Sequence, residues 1–214
     1  MMPLETSRNV ILVRMVLQTR LGRDRLTAAR HEREGRRPLV VGIGGTARAG
    51  STSRRLLEGA LEAAQRAGAS TLLLGHDDLE LPLYSPEKVE RTEKAKRLVA
   101  EVARADGLIV SSPGYHGGPS GLVKNALDYL EDLRNDARPY CDGRAVGCIA
   151  CASGWQAATT TLVGLRSIAH ALRAWPTPLG IAVNTNDRPP DHELEALLEI
   201  LGRQVVEFAL LRKS

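Results

Sequence analysis

Aromatic residues are scarce in this chain: one Phe, four Tyr and two Trp among 214 residues. That leaves few platforms on which the bases of a single-stranded nucleic acid could stack. Cysteine is scarce too, limited to Cys141, Cys148 and Cys151. No Cys/His set has zinc-ligand spacing, so no metal site is expected. Cys148 and Cys151 share the C-x-x-C spacing of a redox pair, but they lie in the apolar run Ala-Val-Gly-Cys-Ile-Ala-Cys ending at Cys151. On a strand, residues three apart face opposite sides of the sheet, so these thiols are expected as small core residues. No apolar run approaches the roughly 20 residues that cross a bilayer. The stretch 10–17 is interrupted by Arg14 and lacks a signal-peptide cleavage site. The expectation is a cytoplasmic protein with neither a membrane span nor a nucleic-acid partner.

Charge of one sign is also nearly missing from the main body. The formal net charge is +4, yet residues 1–38 hold nine Arg against Glu5, Asp24, Glu32 and Glu34, which is +5. Subtracting +5 from +4 leaves −1 for the rest. The chain therefore divides into a basic N-terminal extension, 1–37, read as a disordered tail or an oligomer arm, and a near-neutral domain, 38–214. With 43 % hydrophobic residues, that domain can bury a sizeable core.

Short apolar runs alternate with helical patterns. Strands are expected at 39–43, 70–74, 107–111, 144–151 and 177–183, and a loop at 79–86. Helices are expected at 51–67, 87–105, 120–133, 156–174 and 191–211, the last capped by Asp191. Val89 is read on the apolar side of the second helix. Five strands with helices between them call for a parallel sheet covered on both faces. The predicted fold is α/β, a doubly wound five-stranded parallel sheet of flavodoxin-like order 2-1-3-4-5. Ligands of such sheets bind at the carboxyl ends of strands one and three.

The loop after strand one reads Gly-Ile-Gly-Gly-Thr-Ala-Arg-Ala-Gly-Ser-Thr-Ser over 42–53. It is a poor dinucleotide fingerprint, because the second strand ends Leu-Leu-Gly75 with no carboxylate before Asp77. Without a Gly-Lys-Ser/Thr it is not a Walker A loop either. It offers Thr46, Ser51, Thr52 and Ser53, with Arg48, at a helix start, where backbone N–H groups and the dipole favour an anion. Helix capping alone would explain Ser51 but not four hydroxyls and an arginine. The pattern suits a phosphate monoester held without lysine or metal.

The loop after strand three reads Ser-Ser-Pro-Gly-Tyr-His-Gly-Gly-Pro-Ser over 111–120. Glycines let a backbone approach a flat ligand, and Tyr115 could border a ring. A phosphate cradle beside a rigid ring seat suits FMN. The two loops resemble those of the NADPH-dependent FMN reductase family. The first matches G-S-x-R-x-x-S-x-N, with Thr46 for Ser and Ser53 for Asn. The second matches P-E-Y-N-G-S-x-P-G-x-L-K-N-x-x-D, with Gly114 for Glu and His116 for Asn, and it continues through Lys124, Asn125 and Asp128, which are given a structural role. The resemblance covers about 39–185.

The resemblance implies FMN phosphate at Thr46, Arg48, Ser51 and Ser53, with Thr52 beside them. It implies the isoalloxazine at Pro113, Gly114, Tyr115, His116 and Gly117, and its pyrimidine end near Ser153 and Gly154. Trp155 reads either as a cover for the cofactor or as an interface residue. His170 and Trp175 read as packing or interface residues. No side chain is expected to act as a catalytic group, since flavin N5 carries the chemistry. The implied activity is NAD(P)H-dependent flavin reduction: NADPH donates, and a small-molecule acceptor, free flavin, a quinone or a similar compound, receives. A flavin-dependent monooxygenase is a candidate recipient of the reduced flavin, and the family implies a homodimer or homotetramer. The other reading is a non-enzymatic flavodoxin-type electron carrier, though such carriers are usually strongly acidic.

Overall fold

In the computed structural model, residues 36–46 and 50–212 are described. The basic extension lies outside them, apart from Arg36 and Arg37, and so does Arg48. Each apolar run is hydrophobic on both sides, and pairing edge to edge between two helix layers buries both. β1 (Leu39–Gly44) runs parallel between β2 (Ser70–Leu74) and β3 (Gly107–Tyr115), with Val40 beside Gly107 and Gly44 beside Ser111. The hairpin strand β4 (Gly118–Pro119) folds back on β3. Beyond β3 lies β5 (Ala145–Ala152), whose far edge takes β6 (Trp175–Pro176) near its start and β7 (Ile181–Asn184) near its end. With β6 and β7 counted as two halves of one strand, the order is the expected 2-1-3-4-5.

The helices are α1 (Thr52–Arg66), the single turn α2 (His76–Leu79), α3 (Glu93–Arg104), α4 (Gly121–Asp128), α5 (Trp155–Ala171) and α6 (Asp191–Leu211). α4 tightens into a 3-10 turn over Tyr129–Leu133. α1 and α6 cover one face through Leu57, Leu61, Leu201 and Val205, while α3, α4 and α5 cover the other through Leu98, Val102, Val123 and Leu165. Cys148 and Cys151 belong to opposite cores, as strand alternation requires. All three cysteines are buried and unpaired. At the amino edge of the sheet the buried Arg144 donates to the carbonyls of Ala105 (3.0 Å), Tyr140 (2.9 Å) and Ala103 (2.7 Å). It thereby closes the carbonyl end of α3. Among the described residues, no helix is long and apolar enough to cross a membrane.

Four local expectations are corrected. The second helix begins at Glu93, not 87, because Thr92 caps it by accepting from the Ala95 N–H. The stretch before it is held instead by Arg91, and Val89 is 88 % exposed. Strand three continues to Tyr115, through what reads as loop. The fifth strand is interrupted between its halves. Pro178 cannot donate to a ladder, and other groups bond to this segment: Arg166 donates to the Thr177 carbonyl (2.7 Å), and the Leu179 N–H donates to Gln204 Oε1 (3.1 Å). Asp191 is the first helical residue, not the cap: Pro190 holds the cap position, and the Asp191 carboxylate pairs with Arg188.

Candidate functional site

The site lies at the carboxyl edge of β1, β3 and β5. β1 ends at Gly44 against β3, where a Cβ would sit 2.0 Å from the Ser111 carbonyl oxygen. The chain reaches the start of α1 at Ser51. The Ser51 hydroxyl does not cap the helix; it shares a 2.9 Å hydrogen bond with the Ser53 hydroxyl. Both serines are buried. Ser53 also touches the thiol of Cys151, whose pKa burial pushes up to about 11 against a smaller opposing effect of the Ser53 contact. That thiol stays protonated and unreactive at neutral pH. The first turn of α1 therefore presents a hydroxyl pair beside backbone N–H groups that no side chain caps.

Alternation along β3 sends successive side chains to opposite faces. Ser111 points toward α1 and donates to the Ser53 carbonyl at 2.8 Å. Ser112 points the other way, accepting from the Ser120 N–H at 2.9 Å, while the Ser120 hydroxyl accepts from Val123 N–H and caps α4. The segment between is a tight hairpin: Gly114 opposes Pro119, and Tyr115 opposes Gly118. His116 (φ 52°) and Gly117 (φ 81°) form its two-residue turn, both left-handed. This is the type I′ geometry that hairpin twist demands. Gly114 serves packing. A Cβ there would meet Thr161 Oγ1 at 2.5 Å and the Ala157 carbonyl at 3.1 Å, so the hairpin lies directly on α5. Tyr115 points to the same side as Ser111 and is 57 % exposed.

Beyond β5, Ser153 and Gly154 lead into α5. The Ser153 hydroxyl meets Thr185 Oγ1 at 3.4 Å, and Asn186 Nδ2 donates to the Ser153 carbonyl at 3.4 Å. Thr185 N–H donates to the Ala152 carbonyl at 2.8 Å. The loop after β7 thus forms one wall with the loop after β5. On the other flank, Asn125 accepts from Tyr84 N–H (2.8 Å) and donates to the carbonyls of Leu81 and Pro82, fixing the segment 81–84 against α4. Arg91 braces that segment. It forms a two-pronged pair with Asp132 (2.7 and 2.8 Å) and lies over the Tyr84 and Tyr129 rings.

The structure thus joins Ser51 and Ser53 to the end of β3, with Pro113, Gly114, Tyr115, His116 and Gly117 in the adjoining hairpin, and places Ser153 and Gly154 at the end of β5. Thr46 follows β1 after Gly45. Thr52 turns away: it lines a groove of about 750 Å³ between α1 and α6, whose charges include the Arg66–Glu199 and Arg188–Asp191 pairs. The residues present fit a flavin mononucleotide. The hydroxyl pair and uncapped helix start suit a phosphate, and Cβ positions at Gly50, Gly118 and Gly154 meet open space. Sequence reasoning missed Ser111, Ser112 and the 184–186 loop. Serines ending an otherwise apolar strand were the available signal.

A doubly wound parallel sheet in this order, with a hydroxyl-bearing helix start after its first strand and a tight hairpin after its third, is flavodoxin-like. The model of the NADPH-dependent FMN reductase family matches residues 38–187, and the chain belongs to that family. It is 48 % identical over 52 residues to an NADPH azoreductase of a Bacillus species, covering 24 % of this chain and 29 % of that one. It is 34 % identical over 111 residues to the FMN-dependent NADPH-azoreductase of Staphylococcus aureus, covering 52 % of this chain and 55 % of that one. The chain thus spans about half or less of the length of these curated relatives. In fold it is similar to an oxidoreductase from Corynebacterium diphtheriae, with a TM-score of 0.67 at 19 % identity, covering 82 % of this chain and 98 % of that one.

Proposed function

We propose that this chain is an NAD(P)H-dependent flavin reductase that holds FMN at the carboxyl edge of its sheet. The observation that carries the proposal is the joining of the hydroxyl-bearing start of α1 to the end of β3, through Ser53 and Ser111. It sets a phosphate cradle and a ring seat side by side. The phosphate lies at Thr46, Arg48, Ser51 and Ser53, and Thr52, which faces the groove between α1 and α6, is left out of the cradle. The ring lies along the hairpin 113–117, its pyrimidine end toward Ser153 and Gly154.

When bound, the flavin supplies two-electron transfer from NADPH to a second acceptor. The chain's residues bind and orient it. Hydroxyls and the α1 dipole fix the phosphate, and backbone N–H groups of the hairpin and of the loop after β5 stabilise negative charge at the pyrimidine end. The names of the two azoreductase relatives support azo compounds as acceptors, alongside free flavin and quinones. A homodimer or homotetramer, cytoplasmic location and supply of reduced flavin to a monooxygenase complete the reading. The three unpaired cysteines fit a reducing compartment.

Purified protein should take up FMN and oxidise NADPH steadily in air, and NADH in parallel assays ranks the two donors. A flavodoxin-type carrier would bind FMN and show almost no turnover, and that result would replace the reductase reading.

A further inference from the structure

Five of the seven aromatic side chains have partners. Tyr84 and Tyr129 meet edge to face at 5.2 Å. Arg173 lies over Tyr140, and Trp175 leans on Phe208 at 6.0 Å. The other two, Tyr115 and Trp155, have no ring or cation contact among the described residues and are 57 % and 49 % exposed. Tyr115 ends β3 and Trp155 begins α5, both at the carboxyl edge, where the candidate site lies.

We propose that Trp155 determines acceptor specificity, its indole serving as a stacking platform for a planar, uncharged aromatic acceptor. The inference rests on the flavin-reductase reading and assigns that site its acceptor class. Three observations support it.

The backbone that carries the indole is held in place. Trp155 is the first residue of α5, Gly154 before it accepts from Ala158 N–H at 3.1 Å, and Ser153 is bonded to Thr185 and Asn186. A Trp side chain has only two rotatable χ angles, so on an anchored backbone it offers a large stacking face at low conformational-entropy cost.

The two segments that carry the exposed aromatics lack Asp, Glu, Lys and Arg. The exposed residues next to it on α5 are Gln156, Thr159 and Thr160. The hairpin turn adjoins them: a Cβ at Gly117 would lie 3.4 Å from Thr160 Oγ1. From 153 to 160 and from 113 to 118 there is no Asp, Glu, Lys or Arg. A multiply charged acceptor would find no acidic or basic side chain within these two segments.

The chemistry is complementary. The electron-rich face of indole favours an electron-poor planar ring, such as a quinone or an azo-linked aryl group.

The test uses the Trp175→Phe protein loaded with oxidised FMN, in which Trp155 is the sole indole. Without NADPH no reduction occurs, and menadione should quench the indole fluorescence saturably. In steady state, Trp155→Ala should raise KM for menadione about tenfold and change KM for ferricyanide by less than about twofold. Trp155→Phe should restore most of the loss. Absence of saturable quenching, equal KM changes for both acceptors, or a smaller oligomer for Trp155→Ala by light scattering would overturn the proposal. A wild-type protein that takes up no FMN in a direct titration would overturn the flavin reading itself, and is distinguishable from all of these.

Discussion

Ser111 donates its hydroxyl to the carbonyl of Ser53 at 2.8 Å, across 58 residues of sequence, with both side chains buried. This bond ties the end of β3 to the first turn of α1, and so aligns the two loops that flank the candidate flavin site. Ser111→Ala removes a buried hydrogen bond from a carbonyl that also serves the first turn of α1. We expect a stability loss of about 0.5–1.5 kcal/mol, read by urea unfolding, together with weaker FMN binding. A full stability loss with unchanged FMN affinity would confine Ser111 to a packing role.

The proposed cradle includes Arg48, from the sequence pattern alone. Arg48→Ala should weaken FMN binding by one to two decades, the worth of a charge-assisted contact of about 1.5–3 kcal/mol. Riboflavin lacks the phosphate and should be unaffected. Equal losses for the two ligands, measured by fluorescence titration, would remove Arg48 from the phosphate site.

Gly114→Ala should be destabilising by about 1–3 kcal/mol, because its Cβ would meet Thr161 Oγ1 at 2.5 Å. Thr161→Ala in the same chain removes the nearest clash and should recover part of the loss. Strict additivity of the two changes in a thermal-unfolding cycle would show that the hairpin does not press on α5 at this point.

Much of the fold was legible because the strands are apolar on both faces, a pattern that in this arrangement fits only a sheet covered twice. The hydroxyl cluster at 46–53 was legible because capping does not use so many hydroxyls. The hairpin was not. His116-Gly117 acts as a type I′ turn, and the Pro-Gly-Tyr segment before it reads as loop until its partner strand is known. The contacts of Ser111, of Asn125 with Tyr84 and of Arg91 with Asp132 join residues 58, 41 and 41 apart, which no local pattern encodes. The split of the fifth strand depends on Arg166 and Gln204 bonding to the segment that leaves the ladder.

The thiols give a pH signature. Burial raises Cys141 and Cys151 to about 11 and Cys148 to about 12, from an ordinary value of 9.0. Between those values the unfolded chain loses thiol protons that the folded chain keeps. Stability from this source is therefore intact below pH 9 and falls as pH rises toward 11–12. Replacing all three cysteines by Ala should flatten this part of the stability profile. A thiol reagent at pH 8 should modify none of the three in the folded protein and all three after denaturation.

The linked loops are proposed to seat FMN so that NADPH can reduce it. Anaerobic mixing of the FMN-loaded protein with NADPH, followed by the flavin's visible absorption, tests it most directly. The account predicts rapid bleaching in wild-type protein and recovery when menadione is added. A flavin that stays bound and oxidised in the presence of excess NADPH would contradict it.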